Sequence, residues 1–136
     1  AVRRVVESGS PGSHRKGHNM KYALLLYDTE GDGPEFGTPE MDAEMQQWFE
    51  YTEALESAGR HLGGEALNPT ATATTVRVRD GKTITADGPF AETKETLGGF
   101  YLIEADNLDE AIEWAAKIPS APRGSVEIRP IMEIPG

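Results

Sequence analysis

The sequence predicts an α+β fold of the ferredoxin-like, split βαβ type. This is an antiparallel sheet with two helices on one face and a β-hairpin inserted between its halves. Three observations lead there. Strand-forming and helix-forming patterns follow one another as strand, helix, strand, and the series then repeats. Two of the strands, Tyr22 to Tyr27 and Gly99 to Ile103, are apolar throughout, as strands buried on both sides must be. Between the halves, Asp80-Gly81 joins two β-forming stretches, a strong signal of a two-residue hairpin.

The first strand ends at Asp28 in a stretch holding Gly31, Gly33, Pro34 and Gly37, which reads as a loop that is mobile or ligand-adjacent. Thr38 then offers a hydroxyl cap, Pro39 a preset φ and Glu40 a carboxylate at the positive end of a helix. Met41, Met45, Trp48, Phe49, Thr52 and Leu55 recur at helical spacing as its inner stripe, Glu44, Gln47, Glu50 and Ser57 lie opposite, and Gly59 stops it. His61 to Leu67 is a short strand containing Gly63 and Gly64, glycines that read as a turn or bulge. In the hairpin, Val76 and Val78 fall opposite Thr85 and Thr83, while Arg77 and Arg79 share the other face with Ile84 and Lys82. Asn107 and Glu110 have capping-box spacing, and the helix they open buries Leu108, Ala111, Ile112, Ala115 and Ile118 before Pro119. Ser125 to Ile131 alternates apolar and charged and closes the sheet. With both helices on one side, the other face of so apolar a sheet is bare, which predicts a homodimer joined face to face.

With 136 residues, 38% apolar and 26% charged, the chain is one globular domain. The longest apolar run, Ala23 to Tyr27, is too short to cross a bilayer, and no secretory h-region follows the N-terminal arginines. The absence of cysteine excludes disulfides, a thiolate nucleophile and thiolate metal sites. The expected setting is the cytoplasm.

Residues 1–19 have linker composition and a charge of +3, and read as a disordered N-terminal extension, with Met20 opening the domain. Residues 20–136 carry twenty-two carboxylates against nine cationic side chains, a net of −13. Such a surface repels phosphate backbones and anionic membranes, so neither nucleic acid nor membrane is an expected partner. The domain has a single histidine and no EF-hand spacing, so no metal and no cofactor are expected.

The least ordinary stretch is Asp87-Gly88-Pro89-Phe90-Ala91-Glu92-Thr93-Lys94-Glu95. Asp before Gly-Pro favours a turn whose carboxylate accepts backbone N–H groups, Pro89 stiffens it, and Phe90 is placed to anchor it in the core. This segment resembles the signature of the DGPF family, a branch of the YCII-related domain proteins. Tyr22-Ala23-Leu24-Leu25, Gly63-Gly64-Glu65-Ala66-Leu67, Gly98-Gly99-Phe100-Tyr101 and Val126-Glu127-Ile128-Arg129-Pro130 are similar to that family too. The resemblance covers essentially all of residues 20–136. It implies a dimeric α/β barrel of ferredoxin-like subunits and a setting near extracytoplasmic-function sigma factors, without an established activity. Relatives are suspected of using a His and an Asp in a cleft beside the sheet, and here only Asp87 matches the signature.

Two functional readings follow. In the first, a small molecule binds between sheet and helices with the signature loop as rim. Asp87 and His61 are then the candidate proton-handling groups. Lys94 or Arg129 holds an anionic group, Tyr101 orients the ligand, and Glu65, Glu92 and Tyr27 complete the cleft. The plainer roles of the same residues are a turn-forming Asp87, a surface His61 and structural ion pairs. In the second reading the acidic domain is a non-catalytic partner protein in a sigma-factor-linked pathway.

Overall fold

The computed structural model describes residues 20–135, and the extension expected in residues 1–19 lies outside them. Among the described residues, six strands, two helices and a short 3-10 turn follow in chain order. The strands are β1 (Met20–Asp28), β2 (His61–Ala66), β3 (Thr74–Arg79), β4 (Lys82–Asp87), β5 (Thr96–Ala105) and β6 (Ser125–Pro130). The helices are α1 (Pro39–Ser57), between β1 and β2, and α2 (Leu108–Ala116), between β5 and β6.

β1 is apolar on both sides because it is paired on both edges, antiparallel to β5 and to β6. β2 completes the sheet on the far edge of β5, giving the order β2-β5-β1-β6 of a ferredoxin-like α+β unit. Alternation along β1 turns Tyr22, Leu24 and Leu26 towards the helices, where they join Ile103 of β5, Tyr51 and Leu55 of α1, and Ala111 and Ala115 of α2 in the core. Ala23 and Leu25 point the other way, paired with Leu102 and Phe100, and these four half-buried side chains lie on the face away from the helices.

The helix ends follow the local chemistry. Thr38 caps α1 by accepting the Met41 N–H at 3.2 Å. Asn107 caps α2 by accepting the Glu110 N–H at 2.9 Å. The reciprocal bond differs from a capping box: Glu110 accepts the N–H of Asp106, one residue before the cap, at 2.7 Å. Arg60 explains the displacement, since its guanidinium pairs with Asp106 at 3.1 Å and Glu110 at 2.9 Å and draws both carboxylates to the start of the helix.

The inner stripe of α1 is rotated from the expected one. Tyr51 and Leu55 are the buried residues, whereas Phe49 is 63% and Met45 40% exposed. Tyr51 drives this rotation: its hydroxyl donates to the Trp114 carbonyl at 2.9 Å, and its ring meets Tyr101 edge-on at 5.2 Å. In α2, Leu108 is exposed while Ala111 and Ala115 are buried, because small residues let the helix sit close on the sheet, and Ile118, just past its end, is buried as well.

The hairpin has the expected pairing, with Val76 and Val78 opposite Thr85 and Thr83 and Arg77 opposite Ile84. It forms a sheet of its own, separate from the four-stranded one. For that reason Phe90, expected in the core, is 78% exposed: the signature turn follows the hairpin away from the core. The turn is tied through Gly88, which has φ of +98°. Its N–H donates to the Ala73 carbonyl at 2.7 Å and its carbonyl accepts the Thr75 hydroxyl at 2.8 Å.

Candidate functional site

Two irregularities at one end of the sheet create a recess. The register between β1 and β5 shifts after Leu26, where Leu26 pairs with Gly99 and Tyr27 with Leu97, leaving Gly98 as the extra residue of a bulge. β2 shifts against β5 between His61 and Gly63. Gly64, with φ of +152°, lies so close to β5 that a Cβ there would stand 2.5 Å from the Phe100 carbonyl oxygen. Only glycine permits that approach. Between this glycine-rich floor and α1 lies a cavity of about 550 Å³. Met45, Trp48 and Thr52 line it from α1, and Leu26 and Tyr101 from the sheet. A volume of this order suits a small organic molecule.

The aromatic wall is well organised. The Trp48 and Tyr101 rings lie 12° from parallel with centroids 6.5 Å apart. Tyr101 and Thr52 share a hydroxyl–hydroxyl hydrogen bond of 2.8 Å, and the His61 ring stands edge-on to Tyr101 at 6.1 Å. These hydroxyls and the imidazole are the polar groups along that side.

At the other side of the recess the loop between α2 and β6 brings in Ser120 and Arg123. Arg123 donates from Nη1 and Nη2 to the two oxygens of Glu44 at 2.8 and 2.9 Å, and from Nε to Asp28 at 3.4 Å. Trp48 Nε1 donates to the same Glu44 carboxylate at 3.0 Å. The Arg123 bonds hold the Glu44 carboxyl below its ordinary 4.5, and Glu44 in turn raises Arg123 above its ordinary value. The cation is thus committed to two carboxylates, and the cluster carries a net −1.

Of the residues singled out in the sequence, His61, Tyr101 and Glu65 line this cavity. The other candidates do not. Asp87 is exposed at the end of β4, and Glu92 and Lys94 are exposed in the loop that follows. Arg129 lies on β6, at the sheet edge opposite Glu65 on β2, and pairs with Glu127 at 2.7 Å, so these residues do not converge. Tyr27 alternates away from Leu26 and therefore from the cavity that Leu26 lines. The rim is supplied by α1 and the α2–β6 loop, not by the signature turn.

Trp48 and Thr52 were legible as an inner stripe of α1 but not as a pocket wall. Asp28, Glu44 and Arg123 come from three separate segments and carry no joint spacing; the one local hint was Asp28 at the mouth of a glycine-rich loop.

Comparison with known proteins decides the kinship. The family model of the YCII-related domain matches residues 20–135, nearly the whole chain. This chain belongs to the YCII-related family. A protein of Rhizobium meliloti (strain 1021), uncharacterized protein R00369, is 42% identical over 115 residues, which span 82% of this chain and 92% of that relative. The match starts at Met20, where the first strand starts.

Proposed function

We propose that this YCII-related domain binds a small organic molecule between α1 and the sheet. The observation that carries the reading is the 550 Å³ recess, whose apolar floor and aromatic wall converge on a few polar groups. His61 is the lining side chain of a type that exchanges protons near neutral pH, so proton transfer is the chemistry this recess suits best. Tyr101 and Thr52, already bonded to each other, are oriented to accept or donate a hydrogen bond to a ligand without reorganising.

Gly98 offers a direct test. A Cβ there meets only Asp28 Oδ1, at 4.0 Å, so a larger side chain enters open space beside the recess. Gly98→Leu is expected to keep the circular dichroism and melting behaviour of the parent while abolishing binding of 2-naphthol, read from the Trp48 indole resonance in an NMR titration. An unchanged titration in Gly98→Leu would remove this recess as the binding site.

A second reading concerns assembly. Ala23, Leu25, Phe100 and Leu102 are paired on the face that carries no helix, and their apolar character supports a homodimer joined through it. Leu25→Glu is expected to convert a dimer into a monomer in sedimentation equilibrium, and a parent chain that sediments as a monomer would end this reading.

A further inference from the structure

The geometry points to a ligand class: a flat, ring-bearing molecule that is neutral or cationic, and not a carboxylate or phosphate. This rests on the recess being the binding site. Arg123 is the only lysine or arginine among the lining residues, and three of its N–H directions are spent on Glu44 and Asp28. An anion approaching it would add a third negative charge to a cluster that already carries a net −1. Like charges at such spacing repel by more than a hydrogen bond to a guanidinium already shared by two carboxylates returns.

The attractive half of the argument is the aromatic wall. Trp48 and Tyr101, nearly parallel, present π surface that favours a flat ring and, through its negative face, a cation. At the charged end, Asp28 lines the recess as an acceptor, so a ligand hydroxyl or ammonium has a partner there and a ligand carboxylate has a competitor.

Three probes sharing one ring system test this: 2-naphthol, 2-naphthylmethylammonium and 2-naphthoate. Each is titrated into the parent protein at low salt and slightly alkaline pH, with binding read from the Trp48 indole signal. The naphthol and the ammonium are expected to bind at least about tenfold more tightly than the naphthoate, a modest demand for a like-charge contact. The naphthoate deficit should shrink in high salt, as screening requires. The doubly neutralised variant Asp28→Asn, Glu44→Gln frees Arg123 and is expected to reverse the order. Naphthoate binding as tightly as naphthol to the parent protein would overturn the class while leaving the recess as a site. Silence of all three probes at Trp48 would remove the recess itself, and the class with it.

Discussion

Glu44 and Arg123, separated by most of the chain, face each other through both carboxylate oxygens and both terminal guanidinium nitrogens, at 2.8 and 2.9 Å. This bidentate pair fastens α1 to the loop that precedes β6, and with Asp28 it closes one end of the recess. Because the Glu44 carboxyl titrates below its ordinary 4.5 in the folded chain, it contributes stability above that value. That contribution is lost as pH falls through the depressed value.

Glu44→Gln should therefore cost about 1.5–3 kcal/mol near neutral pH, the range for a hydrogen bond to a charged group. The difference from the parent should narrow as pH drops below the ordinary glutamate range, measured by urea unfolding at a series of pH values. A constant difference across that series would show that Glu44 stabilises by shape alone.

Tyr101→Phe removes one hydroxyl and leaves Thr52 without the partner it has at 2.8 Å. The expected loss is about 0.5–1.5 kcal/mol, with the aromatic packing against Tyr51 and Trp48 retained. Thermal unfolding checks the first part and the near-ultraviolet circular dichroism the second.

Gly64→Ala forces a methyl group to within 2.5 Å of the Phe100 carbonyl oxygen, at a φ of +152° that side chains avoid. β2 must then shift away from β5, at a cost of about 1–3 kcal/mol. Hydrogen exchange should report the change as faster amides in β2 with little effect on β1 and β6.

Asp87→Asn sits on an exposed residue at the end of a hairpin that is separate from the main sheet. Stability should stay within about 0.5 kcal/mol and 2-naphthol binding should be unchanged. A loss of binding here, without a change in melting temperature, would move the functional centre from the recess to the signature turn.

Much of the architecture was readable in the chain because it is written in local chemistry. Thr38-Pro39 starts α1, Asn107 starts α2, and Asp80-Gly81 sets the hairpin register, each through groups a few residues apart. Phe90 and Tyr51 mark where such reading stops. Phe90 is apolar and follows a rigid turn, yet its exposure depends on where the whole hairpin points. Tyr51, by contrast, carries a polar hydroxyl, and its burial depends on a carbonyl of the second helix, 63 positions away.

The recess divides in the same way. Glu65, His61 and Tyr101 were legible as polar or aromatic groups near glycines, whereas Arg129, Lys94 and Asp87 carry equally suggestive chemistry and do not line it. By itself the chain specified its elements, their order and its membership of the YCII-related family, since those depend on patterns spanning a few residues and on the signature segment. Only the tertiary structure decided which charges meet. The partners of Arg123 lie 79 and 95 positions distant, and no periodicity links residues that are brought together solely by the packing of a helix and a loop on a bulged sheet.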